Sequence, residues 1–179
     1  MLQKGSIIKI FEIFADEPTR EHYLIEISKK SKLAHTSTKK LLNELLKESL
    51  IIERIDKKGK RKYPMYSANL NNLFFKRYKF ILNVQEIYDS GIVDYLRDKF
   101  APNCIMLFGS FSRGEDIENS DIDIFINSKK GDASLEKFEK KLNRKIQLHF
   151  NENFSNYSNE LKNNILNGIR LYGYLEAFK

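Results

Sequence analysis

Residues 104–126 constrain the fold of this chain more than any other segment. An apolar run from Cys104 to Phe108 stops at Gly109-Ser110, and a ten-residue connection leads to Asp121-Ile122-Asp123-Ile124-Phe125-Ile126. The first run reads as a buried strand. The second alternates in period two, so Asp121 and Asp123 share one strand face and Ile122, Ile124 and Ile126 the other. Gly109, lacking a Cβ, lets the backbone approach a ligand closely. Ser110 opens the polar stretch Phe111-Ser112-Arg113-Gly114-Glu115, whose backbone N–H groups and hydroxyls suit an anion at a turn or helix start, with Arg113 adding positive charge. Two carboxylates side by side on a strand repel unless a cation neutralises them. Mg²⁺, which takes one or two carboxylates plus substrate phosphates, is the expected occupant.

Gly109-Ser110, Arg113-Gly114 and Ser120-Asp121-Ile122-Asp123, with the spacing between them, resemble the DNA polymerase beta-like nucleotidyltransferase superfamily, and within it the small minimal nucleotidyltransferases. The likeness extends loosely from Ile92 to the end, through Leu166-Asn167-Gly168-Ile169-Arg170-Leu171-Tyr172-Gly173. It implies that Gly109, Ser110 and Arg113 bind a nucleoside triphosphate and that Asp121 and Asp123 are catalytic metal ligands for nucleotidyl transfer. The family usually carries a third carboxylate on a later strand. Here the matching strand is Lys145-Ile146-Gln147-Leu148-His149-Phe150, with Ile146, Leu148 and Phe150 expected in the core and Gln147 and His149 toward the site. Gln147 stands where the acid is expected, and an amide neither takes a proton nor supplies charge. His149 or Glu152 is the candidate replacement. Two functions follow from the resemblance. One is transfer of a nucleoside monophosphate to a hydroxyl acceptor, in small relatives often on a toxin partner that an antitoxin modifies. The other is a noncatalytic DNA-binding transcriptional regulator that senses nucleotide through a degenerate pocket.

The charge is divided unevenly. Residues 1–80 hold 18 Lys/Arg against 9 Asp/Glu, whereas residues 81–179 hold 13 against 15, so nets of +9 and −2 make up the overall +7. The basic front half reads as helices over about Ser6–Ala15, Arg20–Lys30 and His35–Glu48. Leu24, Ile27, Leu41, Leu42, Leu45 and Leu46 recur at helical spacing to close a small core. Strands are expected at Leu50–Ile55 and Tyr63–Ser67, joined by the basic run 56–62. This order resembles the winged helix-turn-helix family of transcription regulators over most of residues 4–68. The resemblance places the third helix in a DNA major groove, with His35, Thr36, Ser37, Thr38, Lys39 and Lys40 at its start. Lys57, Lys58, Lys60, Arg61 and Lys62 form a phosphate-contacting wing around Gly59.

The expected organisation is therefore α/β (α+β): a winged helix over 1–68, a helical connector over 69–100 and a nucleotidyltransferase-like domain with a mixed sheet and flanking helices over 101–179. In the connector, one long helix is followed after Ser90-Gly91 by a second over Ile92–Phe100, and its stripe Phe74, Phe75, Tyr78 and Phe80 suits core packing or a homodimer seam. Helices are also expected at Ser134–Asn143 and Asn159–Asn167. No run of eighteen apolar residues and no signal-like start are present, so a cytoplasmic protein without membrane attachment is expected. Cys104, the single cysteine, reads as a buried thiol. His22, His35 and His149 lie far apart without cysteine companions, which argues against zinc.

Overall fold

The computed structural model describes residues 5–58, 61–150, 154 and 157–176. The fold is mixed α+β, with seven α-helices and two sheets among the described residues. The chain divides into two compact units, Met1–Lys79 and Phe80–Lys179, and the division falls inside one helix.

In the first unit, α1 (Ser6–Asp16), β1 (His22–Tyr23), α2 (Leu24–Ser31) and α3 (His35–Lys47) precede a hairpin of β2 (Ile51–Lys58) and β3 (Arg61–Ala68), in sheet order β1-β3-β2. Ile10, Phe11, Ile13 and Phe14 of α1 are buried, as are Ile27, Leu42, Leu45, Ile51, Tyr66 and Phe75, and the Phe11 and Phe75 rings pack at 5.1 Å. Each such large side chain contributes roughly 2 kcal/mol by leaving water. Of the six residues expected to close this core, Ile27, Leu42 and Leu45 are buried, while Leu24, Leu41 and Leu46 sit half-exposed at its margin. The second helix begins four residues later than its apolar spacing suggests. His22 and Tyr23 are drawn into the sheet opposite Tyr66 and Met65, and the Tyr23 N–H donates to Glu26 of the first turn at 3.3 Å. The hairpin strands are longer than expected, because Lys57 pairs with Lys62 and Lys58 with Arg61 across the ladder. Gly59 and Lys60, like Glu152, lie outside the described residues.

α4 (Leu73–Ser90) and α5 (Ile92–Phe100) follow the expected connector helices, broken at Gly91 with φ +82°. Phe75 and Ile87 are fully buried, but Leu73, Phe74, Tyr78, Ile81 and Tyr88 remain about half exposed. In the second unit, β4 (Cys104–Phe108), β5 (Ile122–Ile126), β6 (Ile146–Phe150) and β7 (Ile169–Gly173) form one sheet in the order β6-β5-β4-β7. β4 runs antiparallel to both β5 and β7, and β5 runs parallel to β6. Ile105, Leu107, Ile122, Ile124 and Ile126 pack with Ile87, Ile92, Leu96 and with Phe138 of α6 (Glu136–Leu142). Cys104, Met106, Phe108 and Phe125 instead meet Ile165 of α7 (Asn159–Leu166). Cys104 is buried and free, and burial pushes its thiol upward in pKa. No helix among the described residues is long and apolar enough to cross a membrane.

β7 is an element that the sequence pattern did not reveal. Its approach to β4 depends on Gly168, where a Cβ would lie 3.0 Å from the Ile165 carbonyl oxygen and 3.1 Å from the Phe108 Cβ, inside ordinary contact distance.

Candidate functional site

The chain direction of three strands assembles the site. Because β4 is antiparallel to β5 while β5 and β6 are parallel, the C-terminal end of β4 and the N-terminal ends of β5 and β6 lie together. Gly109 and Ser110 leave β4 at that end, and Asp121 and Asp123 enter it. Phe108 stands opposite Asp123, and Asp123 stands opposite Gln147.

Gly109 adopts φ +77°, a left-handed conformation that favours glycine. The space that a Cβ would fill there is taken by the Asp123 carboxylate, whose Cγ would lie 3.3 Å from that Cβ. Glycine at this corner therefore serves the backbone turn and the close approach of Asp123 together. Ser110 leads into a 3-10 turn at Phe111–Arg113, closed by Gly114 at φ +66°. Its carbonyl accepts from the N–H groups of Arg113 at 3.0 Å and Glu115 at 3.1 Å. The Ser112 hydroxyl donates to the Gly109 carbonyl at 2.8 Å, closing the corner from inside. The Arg113 guanidinium is exposed and paired with Glu115 at 2.8 Å.

The two β6 side chains reach back diagonally onto β5. The Gln147 amide donates to the Asp121 Oδ2 at 2.5 Å, and the His149 Nε2 lies 3.3 Å from the Asp123 Oδ1. His149 and Asp123 are each about one-quarter exposed, and the His149 ring meets Phe108 edge-on at 5.0 Å. The expected division of β6 holds in direction: Ile146 is buried and Leu148 and Phe150 pack against the core, while Gln147 and His149 face the carboxylates. The site thus joins four polar side chains from two parallel strands.

A buried network missed by the sequence pattern fixes the loop between Gly109 and Asp121. Asp116, in the connection that leads to Asp121, is only 2% exposed. Its carboxylate accepts from Asn83 of α4 at 2.8 Å and lies 3.8 Å from Arg144. The same Asn83 amide donates to the Phe111 carbonyl at 2.9 Å. One amide thereby ties the 3-10 turn to the loop, and breaking a buried charge pair of this kind costs about 3–5 kcal/mol. No local pattern signals it, because the partners lie 33 residues apart in Asn83 and Asp116.

In the first unit, Thr36, Ser37, Lys39 and Lys40 are exposed at the start of α3, as are Arg61 and Lys62 on β3. Thr38 differs: it is buried, and its hydroxyl donates to the Ala34 carbonyl at 3.0 Å. The period of the helix turns it inward, away from any surface that its neighbours share. Lys58 ends β2 opposite Arg61, and Lys60 lies outside the described residues.

No curated protein matches the chain. Residues 90–176 match the family model described as Polymerase beta, Nucleotidyltransferase. That span contains Gly109, Ser110, both aspartates and all four strands of the second sheet, so the C-terminal unit carries a nucleotidyltransferase-like domain.

Proposed function

We propose that the C-terminal domain binds a nucleoside triphosphate with Mg²⁺ and transfers the nucleoside monophosphate to a hydroxyl acceptor. The observation that carries this reading is the convergence of Asp123 on the Gly109 corner, with Asp121 on the same strand face. Mg²⁺ takes oxygen donors and is commonly held by one or two carboxylates together with substrate phosphates. Asp121 and Asp123 supply such a pair, and no cluster of three or more His, Cys, Asp or Glu suited to a metal occurs among the described residues. The donor set fits an ion shared between protein and nucleotide.

In this reading Gly109 and Ser110 hold the polyphosphate through backbone and hydroxyl donors, and Arg113 exchanges Glu115 for phosphate. Bound Mg²⁺ would neutralise charge developing on the phosphorus and on the leaving group. The acceptor oxygen bonds to the α-phosphorus, the bridging α–β P–O bond breaks, pyrophosphate leaves and the acceptor proton passes to water. Gln147 aims the Asp121 carboxylate without competing for a proton. Labelled nucleotide should be incorporated only with Mg²⁺, and Asp121→Ala or Asp123→Ala should lower the rate by about a hundredfold or more. Turnover unchanged in both variants would remove these residues from the reaction.

The Gln147 amide favours a second reading, in which the domain senses nucleotide without turning it over, since a neutral group replaces the expected third carboxylate. Nucleotide binding without pyrophosphate release would select it.

For the first unit, we infer a winged helix that binds double-stranded DNA. The order α1-β1-α2-α3-β2-β3 supports this, as do the exposed Thr36, Ser37, Lys39 and Lys40 on α3 and the exposed Arg61 and Lys62 on β3; Lys58 and Lys60, basic residues of the same stretch of sequence, belong to the same proposal. Two copies would suit a symmetric operator. A protein partner carrying the acceptor, in the manner of a toxin, extends the same proposal.

A further inference from the structure

The first unit holds an apolar cleft of about 660 Å³. Tyr23, Leu24, Ile25 and Glu26 line it where β1 passes into α2, His35 lines it at the start of α3, and Tyr63 and Pro64 line it from β3. Ile25 is 64% exposed and Tyr63 37%, so the cleft leaves carbon surface in water. The Tyr23 and Tyr63 rings meet edge-on at 6.5 Å. The Tyr23 hydroxyl donates to Asp56 at 2.6 Å, which fixes the orientation of that pair. Glu26, the carboxylate of this lining, is already engaged by Arg20 at 2.5 Å and by the Tyr23 N–H at 3.3 Å.

Cations flank the lining residues along the chain. Arg61 precedes Tyr63 by two positions and so shares its face of β3, Lys62 lies between them, and Lys39 and Lys40 follow His35 by about one turn of α3. All four are exposed. An aromatic and aliphatic cleft set among cations fits a ligand that joins a flat apolar ring to phosphate, which is a nucleotide within a nucleic-acid strand. A continuous duplex does not fill such a cleft, because its bases keep their faces inside the stack and show only their edges in the grooves.

Resting on the DNA-binding reading of the first unit, we propose that this cleft takes one unstacked nucleobase, so that the unit prefers DNA with an unpaired nucleotide to a continuous duplex. The base lies against Tyr63 and Ile25, while Lys39, Lys40, Arg61 and Lys62 take the neighbouring phosphates.

Fluorescence anisotropy of the full chain with two labelled DNAs tests this, one a paired duplex and the other the same duplex with a single bulged nucleotide. The bulged duplex should bind about tenfold tighter. A 2-aminopurine at the bulge should lose fluorescence on binding, because stacking quenches it. Tyr63→Ala with Ile25→Ser, both outside the buried core, should erase the preference and the quenching while the paired duplex keeps its affinity and salt dependence. Equal affinity for the two DNAs, a bulged base that stays bright, or a preference that survives the double substitution overturns the cleft assignment and leaves the DNA-binding reading standing. Quenching of free 2-aminopurine riboside at the affinity of the bulged duplex assigns the cleft to a small molecule and overturns the proposal as well. No binding, or salt-insensitive binding, of both DNAs overturns the DNA-binding reading and the proposal together.

Discussion

His22 places a titratable ring where no water reaches it. It is fully buried, its ring packs edge-on against Phe14 at 5.7 Å, and Glu17 lies 3.4 Å away. Burial first, and then the charge of Lys30, push its pKa below the ordinary 6.5. The unfolded chain therefore binds the proton more readily than the folded one, so His22 contributes stability that is complete above 6.5 and is lost as pH falls toward its folded value. Glu17 adds a separate window. Partial burial opposes its ionisation, but Lys30 and Arg20 outweigh that and hold it below 4.5, so its contribution is lost only below that pH. Denaturant unfolding between about pH 7.5 and pH 5 should show stability falling with pH, and His22→Gln should flatten that slope. An unchanged slope in the variant would assign the effect elsewhere. At this scale the placement of Gly109 at the end of β4, with Asp123 drawn against it, was legible from the apolar run and the alternation that follows it. Asp116 was not, because a carboxylate in a polar stretch gives no local sign that Asn83 and Arg144 will enclose it.

Among the elements, β4 and β5 were legible because an uninterrupted apolar run and a strict alternation each allow one burial pattern, and β6 followed from the same alternation. β7 escaped because Arg170 and Tyr172 face outward on a short edge strand, leaving only Leu171 fully in the core. The hairpin strands were read short because lysines carry no apolar period, although the ladder continues through Lys57 and Lys62. That extension makes the basic residues part of a paired ribbon, with Tyr23 from β1 donating to Asp56 at 2.6 Å behind it. A ribbon of this kind presents charge at fixed spacing, and its test is electrostatic. Binding of a duplex DNA fragment should weaken steeply with salt, and Arg61→Glu with Lys62→Glu should reduce the slope of log K against log salt by roughly 2. A salt-insensitive association would argue for a protein contact instead.

For the whole molecule, the sequence divides chemically where the fold divides physically. The excess of +9 lies in residues 1–80 and the slight acidity in residues 81–179, and the two compact units meet within α4 at Lys79 and Phe80. A basic module is thus joined to a module with a carboxylate pair, and under the proposed function that pair takes a cation before a polyphosphate enters. Under the proposed function, Asp121 and Asp123 make the second module a metal-dependent nucleotide site. Isothermal titration of the full chain with each nucleoside triphosphate, with and without Mg²⁺, tests it most directly. Binding should require Mg²⁺ and disappear in the Asp121→Ala, Asp123→Ala double variant. Tight binding that persists without Mg²⁺ and in that variant would contradict it.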